Sequence, residues 1–386
     1  MGRLLNKNVL NKIKKGSILI YNQYRNELSY YQRGVVVEFR KITVSGTPFE
    51  MGFAFGEACK EEISALLSEL LSDKPDEKLQ KTMCFRTLYE RYFPDMLEEA
   101  RGIAEALEIP FSHGLLLQTR WDLNLAPADE CTSFACAGPA TKGGRIFAGM
   151  NKDVTEKARK AMILLHMKPA SGPRKLLIAY PGSMAGPGMN EYGVCFFGNS
   201  LYGGRIRNNS IPQPMMMRLI LEQCTAAAAK NRLVSVHRDG HIGFNGNATV
   251  CDAQGDMYCI EMFGDQIAVV APNPEDGFLV HANNLISKVP SMLEIETPSM
   301  SGNTIGRTNR MTELFRKQHG CLDEDSLKEV LRDHEGLPFA ICRHNGCYPG
   351  RQPSFTCMSC VAMPAEGCIW FCKGNPCENP YFLHSV

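Results

Sequence analysis

Several marks that would assign this chain to a special class are absent. The net charge is +1 over 386 residues, so neither sign is in enough excess to attract a nucleic acid or an anionic membrane surface. No run approaches the roughly 18 apolar residues that a membrane-crossing helix needs. The first 33 residues are polar and locally basic, with Arg3, Lys7, Lys12, Lys14, Lys15 and Arg25 against Glu27. Their apolar residues never form the continuous core of a secretory signal, and the expectation is a cytoplasmic protein with no nucleic-acid or membrane partner. A phosphate-cradling loop is missing too, because the glycines of Pro181 to Gly188 lead to no Lys-Ser/Thr. None of the nine histidines carries a recognisable catalytic motif, which disfavours a papain-like Cys/His pair.

Cysteine, by contrast, is plentiful at sixteen residues. Without a sign of export, that number argues for free thiols in a reducing compartment rather than a disulfide framework. Cys357 and Cys360 suggest a zinc pair, but Phe355 to Met363 reads as a strand, in which positions three apart point to opposite faces. Cys368 and Cys372 do share a strand face, and Cys342, Cys347 and Cys377 lie nearby in sequence. No second tight pair completes a four-ligand pattern, and the expectation is no metal and no cofactor.

The most informative stretch runs Asp129-Glu130-Cys131-Thr132-Ser133-Phe134-Ala135-Cys136 and resumes, after Gly143-Gly144, from Arg145 to Asn151-Lys152-Asp153. Small and apolar residues alternate from Cys131, the glycine pair supplies a tight turn, and a second strand returns through Ile146, Ala148 and Met150. The pattern predicts a β-hairpin with a cysteine opening its first strand and an Asn-x-Asp ending its second. A thiol on a rigid strand end, faced by a polar pair on the neighbouring strand, is a nucleophile with orienting groups. The plainer alternative makes Cys131 one more small buried residue.

At this length the chain can bury a substantial core, as one large body or two modest domains. Residues 1 to 33 read as a polar arm. A strand over Gly34 to Val44 precedes Gly46 to Glu57, whose spaced glycines permit close packing, and a helix through Ile63, Leu66, Leu67 and Leu70. Polar residues Asp73 to Asp76 break the pattern. Pro94 opens a helix with Leu97, Ala100, Ile103, Ala104 and Leu107 on one face, stopped at Ile109-Pro110. Another helix, Ser112 to Asn124, leads toward Glu130. Beyond the hairpin the pattern gives strands over Ala161 to Met167 and Lys175 to Tyr180, a loop from Pro181 to Gly188, and a turn and strand from Met189 to Asn199. A helix spans Pro212 to Ala229, followed by a hairpin (Gly243 to Asp252, Asp256 to Met262), strands at Gln266 to Val270 and Phe278 to Ala282, a helix after Gly302, and closing strands from Thr356.

These strings resemble the N-terminal-nucleophile hydrolases, specifically the acyl-CoA:6-aminopenicillanate acyltransferase-like branch, and are more distantly similar to bile-salt hydrolases and penicillin V acylases. The resemblance is carried by Cys131-Thr132-Ser133, Asn151-Lys152-Asp153, Gly188-Met189-Asn190-Glu191 with Gly193-Val194 and Asn199, Asn247, His281-Ala282-Asn283, Arg307 with Arg310, and Gly374 to Tyr381. It implies an α+β fold, a four-layer αββα sandwich with an N-terminal helical pro-segment. It further implies self-cleavage between Glu130 and Cys131. Residues 1–130, the arm and pro-segment, would become an α chain that stays associated with a catalytic β chain, 131–386. In this reading Cys131 is the nucleophile and Asp153 orients the new ammonium. Asn199 and Asn247 hold the oxyanion, with Asn245 as the alternative to Asn247, and Arg307, rather than Arg310, steadies Cys131 or a substrate carboxylate. Two departures stand out: Glu130 replaces the glycine common before the nucleophile, and Met150 replaces an arginine of the bile-salt branch, which favours the acyltransferase-like branch.

Elementary chemistry agrees with that cast. A cysteine thiol has a pKa near 8.5, so little thiolate exists at neutral pH without a base. A freed α-amino group, with a pKa of about 7.7 to 8.0, sits on the same residue and can take the thiol proton. Cleavage is therefore the activation of a zymogen. The expected activity is an autoprocessing cysteine amidohydrolase that cleaves an N-acyl amine or N-acyl amino acid through an acyl-enzyme. The alternatives are an acyltransferase moving an acyl group from a CoA thioester to an amine, an uncleaved member that binds an acylated ligand, and a cysteine-rich redox or metal-sensing protein. The expected partner is a small-molecule acyl amide or acyl thioester.

Overall fold

Thr47 and Glu50 satisfy each other's backbone N–H groups in a capping box, and this starts the first helix immediately after the first strand. In the computed structural model the described residues are 37–123, 130–201, 210–240, 242–287, 301–344 and 353–386. The expected arm, the first-strand residues Gly34 to Val36, the lead-in 124–129 and Cys347 lie outside them. Strand β1 (Arg40–Gly46) is followed by helices α1 (Pro48–Ala58), α2 (Lys60–Leu70), α3 (Pro75–Met83), α4 (Arg86–Tyr92), α5 (Asp95–Ala106) and α6 (Phe111–Thr119). Helix α1 crosses α5 at glycines: a Cβ on Gly52 would meet the Glu99 carbonyl oxygen at 2.1 Å, and one on Gly102 the Phe49 carbonyl oxygen at 2.1 Å. The glycine spacing is therefore a packing requirement.

The hairpin forms from β2 (Glu130–Gly138) and β3 (Gly144–Val154), with Gly143 and Gly144 at φ of 70° and 71° in its turn. Then come α7 (Glu156–Ala161), β4 (Ile163–Pro169), β5 (Lys175–Ala179), β6 (Gly188–Asn190), β7 (Cys195–Ser200), α8 (Gln213–Leu221), α9 (Ala226–Gly240), β8 (Gly246–Cys251), β9 (Met257–Phe263), β10 (Gln266–Val270) and β11 (Phe278–His281). A wide turn, Ser301–Ile305, opens α10 (Gly306–Lys317), and α11 (Glu324–Leu331), β12 (Phe355–Met363), β13 (Cys368–Lys373) and β14 (Phe382–Ser385) complete the order. The single helix expected over Pro212 to Ala229 is two. Thr225 Oγ1 accepts from Ala228 N at 3.1 Å and Asp252 Oδ2 from Ala226 N at 2.8 Å, which caps a new helix start. Helix α3 begins within the expected polar break at Asp73 to Asp76 and, with α4, fills the stretch from there toward Pro94, where the sequence pattern gives no element.

One sheet runs β1-β4-β5-β6-β7-β8-β9-β10 and the other β11-β2-β3-β12-β13-β14. β1 joins β4 in parallel. The period-two alternation of these strands sorts side chains into three apolar layers. Leu165, Leu177, Phe196, Val250 and Ile260 face the helices of the N-terminal region together with α8 and α9. Leu164, Ile178, Phe197, Cys251 and Cys259 face Ala135, Met150, Cys360 and Phe371 across the gap between the sheets. Phe134, Phe147 and Val361 leave the second sheet on its far side and pack on Met311, Phe315, Leu327 and Leu331 of α10 and α11. The fold is α+β, two sheets with an N-terminal helical region. No helix of the described residues is long and apolar enough to cross a membrane.

A buried ion pair ties the N-terminal helices to the part of the chain beyond the hairpin. Arg218 on α8 donates from Nη1 to both carboxylate oxygens of Glu99 on α5, at 2.8 and 2.9 Å. Nearer the hairpin, Asp122 accepts from Gln213 N at 2.9 Å, and burial pushes its carboxyl up to about 7.

Candidate active site

Cys131 opens β2 almost wholly buried, with 1% exposure. Strand periodicity and the register Cys131–Lys152 put its side chain on the face of Ser133, Ala135 and Met150, toward the other sheet. Its backbone N–H donates to Asn283 Oδ1 at 3.0 Å. The reason is positional: His281 pairs with Ser133 across the antiparallel β11 and β2, so Asn283, two residues on from His281, stands opposite Cys131, two residues before Ser133. Arg307, 1% exposed, donates from Nη1 to the Cys131 carbonyl at 2.5 Å and to Thr132 Oγ1 at 2.6 Å. Its Nη2 reaches Asn283 Oδ1 at 2.8 Å and its Nε reaches Asn303 Oδ1 at 2.9 Å. Asn283 Nδ2 in turn donates to Ser200 O at 2.7 Å, fixing which way its amide points. Arg310 lies elsewhere, paired with Asp333, Glu313 and Glu335.

A polar seam crosses the gap between the sheets on the thiol's face. Ser133 Oγ donates to Asn199 Oδ1 at 2.5 Å and lies 3.1 Å from Thr249 Oγ1. Asn199 and Asn247 face each other across β7 and β8. Asn247 Oδ1 accepts the Asn199 backbone N–H at 2.8 Å, and its Nδ2 donates to Thr249 Oγ1 at 3.0 Å and Cys259 Sγ at 3.4 Å. Asn199 Nδ2 is buried with no acceptor among the described residues. Of the two asparagines, Asn199 thus keeps a donor in reserve, whereas Asn247 is engaged at both ends of its amide. Asn245 binds Gly264 N at 2.8 Å in the adjoining loop.

Glu261, opposite Asn247 on β9, extends the seam. It accepts from His281 Nε2 at 2.9 Å, Ile286 N at 2.7 Å and Ser287 N at 2.9 Å, so it grips the chain on both sides of Asn283. Burial alone would raise its pKa; the hydrogen bond and charge of His281, with Ser287 and the Ile286 N–H, lower it. Cys259, Glu261 and His281 bring three ligand atoms within 4.8 Å, but both carboxylate oxygens already hold these donors.

The Asn-x-Asp does not face the thiol. Register puts Lys152 opposite Cys131, and one residue either way turns Asn151 and Asp153 to the other side of the sheet. There Asn151 Nδ2 donates to the carbonyls of Leu331 and Ile341 at 2.8 and 2.9 Å. Asp153 Oδ1 accepts from Thr356 Oγ1 at 2.7 Å, and Oδ2 is 3.6 Å from Arg343 Nε. In this uncut chain the group on the Cys131 nitrogen is Asn283, not Asp153. Glu130 shares the far side with Asp153. Its carboxylate pairs with Nη1 of the fully buried Arg343 and accepts from Asn303 Nδ2 at 3.3 Å through each oxygen. Asn303 Oδ1 also accepts from Arg343 Nη2 at 2.7 Å, so one asparagine joins both arginines to Glu130. Sequence reasoning does not single out Asn283, Asn303, Arg343 or Ser133 as site residues; only the Cys131-Thr132-Ser133 and His281-Ala282-Asn283 strings are signals.

A small cleft opens beside Cys131, with Met150, Phe196, Met217 and Phe244 as apolar walls and Lys152, Ser200 and Gln213 as polar ones. Burial raises the thiols of Cys136, Cys195, Cys251 and Cys360, and that of Cys357 to about 12, which makes them inert core residues.

Residues 140–378 match the family model described as acyl-coenzyme A:6-aminopenicillanic acid acyl-transferase. A relative in Emericella nidulans, the acyl-coenzyme A:6-aminopenicillanic-acid-acyltransferase 40 kDa form, is 25% identical over 314 residues, 78% of this chain and 84% of the relative. Among solved structures, a mutant conjugated bile acid hydrolase of Clostridium perfringens aligns with a TM-score of 0.42 at 11% identity, over 66% of this chain and 97% of that one. Penicillin V acylase of Agrobacterium tumefaciens aligns with a TM-score of 0.37 at 11% identity, over 64% and 75%. The chain belongs to the acyl-coenzyme A:6-aminopenicillanic acid acyl-transferase family.

Proposed function

We propose that the protein is a self-processing amidohydrolase of the four-layer αββα, N-terminal-nucleophile kind, acting through Cys131 on an N-acyl amine or N-acyl amino acid. The observation that carries this reading is the bracket around one residue: Asn283 on the Cys131 nitrogen, Arg307 on its carbonyl, and the polar seam on its thiol's face. An ordinary core cysteine has no use for a buried arginine and asparagine fixed on its backbone.

In processing, Sγ attacks the Glu130 carbonyl carbon, the Glu130–Cys131 C–N bond breaks, and the amine leaves with a proton. Water then hydrolyses the thioester, giving a Glu130 carboxylate and a free thiol. In turnover the freed α-amine, accepted by Asn283 Oδ1, takes the thiol proton. Arg307 nearby disfavours the ammonium form and keeps that amine a base. Asn199 Nδ2 donates to the oxyanion while Asn247 and Ser133 hold Asn199 in place. The acyl group stays on sulfur, the amine product departs, and water completes hydrolysis. The apolar walls of the cleft suit an acyl or aromatic substituent, with Lys152 and Gln213 suited to a polar end. The Glu99–Arg218 pair and the shared apolar layer would keep the two chains together after the cut.

A second reading, transfer of an acyl group from a CoA thioester to an amine, is favoured by the likeness to the Emericella acyltransferase over 78% of this chain. The test is the intact mass of the purified protein with and without Cys131→Ala, N-terminal sequencing of any fragments, and release of amine from a panel of N-acyl amines. Two chains divided between Glu130 and Cys131, and a single chain in the variant, are expected. One uncut chain in both, without amine release, overturns the proposal.

A further inference from the structure

Away from the thiol, four side chains converge behind Arg343. His334 follows α11, Cys342 and His344 flank Arg343, and Cys377 lies in the turn between β13 and β14. His334 Nε2 is 3.2 Å from His344 Nε2, and Cys342 Sγ is 3.6 Å from both His344 Nε2 and Cys377 Sγ. His344 Nε2 is 3.1 Å from Cys377 Sγ, and all four ligand atoms lie within 4.8 Å of one another. A tetrahedral Zn²⁺ with bonds of about 2.3 Å to sulfur and 2.0–2.1 Å to nitrogen would separate its ligand atoms by about 3.8 Å (S to S), 3.5 Å (S to N) and 3.3 Å (N to N). Four of the six separations, 3.6 Å for S to S, 3.6 and 3.1 Å for S to N and 3.2 Å for N to N, lie within about 0.4 Å of those lengths. A sulfur separation of 3.6 Å is also far beyond the roughly 2.05 Å of a disulfide.

The surroundings are those of a held ligand set. Asn375 Nδ2 donates to Cys342 Sγ at 3.5 Å and to the Arg343 carbonyl at 2.7 Å. Glu378 Oε1 lies 3.8 Å from His344 Nδ1, on the side of the ring turned away from the cluster, where a carboxylate orients a metal-bound imidazole. Asp333, gripped by Arg310 at 2.8 and 3.1 Å, accepts the Cys342 N–H through its carbonyl at 2.9 Å and so sets the backbone beside His334.

We propose that His334, Cys342, His344 and Cys377 form a Cys₂His₂ site for a zinc-type divalent ion. Four protein ligands close the coordination shell, which makes the site structural. Binding takes the two thiolates and two neutral imidazoles and releases the thiol protons. The ion would tie three loop segments together around Arg343, whose guanidinium reaches Glu130 and Asp153. The expectation of no metal rests on paired Cys-x-x-Cys ligands; here the ligands are His-x₇-Cys-x-His and a cysteine 33 residues beyond His344, brought together by the β12–β13 hairpin.

The test is metal analysis of the full chain purified under reducing conditions without chelator, together with Co²⁺ titration of the chelator-stripped protein. About one zinc per chain, and a visible absorption of tetrahedral Co²⁺ with a thiolate charge-transfer band, are expected. Cys377→Ser and His334→Ala should each lower retained metal at least about five-fold, while Cys368→Ser, outside the cluster, should leave it unchanged. Should a variant fail to fold, the wild-type Co²⁺ spectrum decides on its own. Absence of both metal and spectrum, metal retained fully in the variants, or a Cys342–Cys377 disulfide in the protein as purified would overturn the proposal.

Discussion

Glu130→Gln, made in a Cys131→Ala background so that no cleavage intervenes, isolates what the residue before the nucleophile contributes to folding. Glu130 is 6% exposed and pairs with Arg343, which is fully buried. Removing one partner of a buried pair typically costs about 3 to 5 kcal/mol. Two features reduce that here: Asp153 stays 3.6 Å from Arg343 Nε, and glutamine keeps one acceptor oxygen. One feature opposes the substitution. Asn303 cannot turn its amide, because its Oδ1 accepts from both Arg307 and Arg343, so a glutamine would present an NH₂ toward the Asn303 NH₂. The expected loss is about 2 to 3 kcal/mol. With an unfolding entropy of about 2.1 cal/mol/K per residue over some 350 residues, Tm should fall by about 3 to 4 °C. Urea unfolding gives the free energy, and a double-mutant cycle with Arg343→Met should return a coupling of at least about 1 kcal/mol. A loss under about 0.5 kcal/mol, or a coupling near zero, would refute the reasoning that Arg343 and Asn303 are why glutamate is accepted at this position.

Substitutions within the site itself should act on chemistry as well as folding. Asn199→Ala should lower kcat for amide release about 10²- to 10³-fold, the usual effect of deleting an oxyanion donor, and a change under about three-fold would exclude Asn199 from that role. Arg307→Lys keeps the charge but cannot reach Cys131 O, Thr132, Asn283 and Asn303 together; a time course of intact mass should show cleavage slowed at least about ten-fold, and wild-type kinetics would refute the positioning role. Glu261 has a pKa lowered from 4.5, so its stabilisation is fully present above that value and lost as pH falls through the folded pKa. Glu261→Gln should therefore flatten the acid limb of the stability curve below about pH 4.5, which urea titrations at several pH values would read directly; an unaltered limb would count against the His281–Glu261 contact.

How much of this is legible in the sequence depends on range. The hairpin can be read because its signal is local: alternation from Cys131 and a glycine pair whose positive φ the turn requires. Asn199, Asn247 and Arg307 can be named from family strings, but their partners cannot. The Asn-x-Asp reads as a pair facing the thiol, whereas a period of two sends its middle residue, Lys152, to that side. Helices α3 and α4 are hidden by a polar composition with few apolar positions. Asn303 and Arg343 are hidden by distance: each lies more than 170 residues from Glu130, and nothing local in Gly302-Asn303-Thr304 or Cys342-Arg343-His344 announces that they converge.

The buried charges explain why these distant residues belong together. Glu130 and Asp153 are anions, Arg307 and Arg343 are cations, and all four are nearly or fully buried at one hairpin end. None would be tolerated there alone, since an unpaired buried ion costs several kcal/mol. The cluster is balanced while the chain is whole. Cleavage would add a backbone carboxylate to Glu130, whose side chain already pairs with Arg343, and an amine to Cys131, whose N–H and carbonyl are held by Asn283 and Arg307. The new amine would meet the Arg307 cation and be held neutral, the form in which it can accept a thiol proton. If the proposed cleavage occurs, the arrangement that stabilises the uncut chain would also favour the charge state that a Cys131 nucleophile needs, so substitutions at Arg343 and Arg307 should separate: the first acting mainly on folding, the second mainly on the reactivity of Cys131.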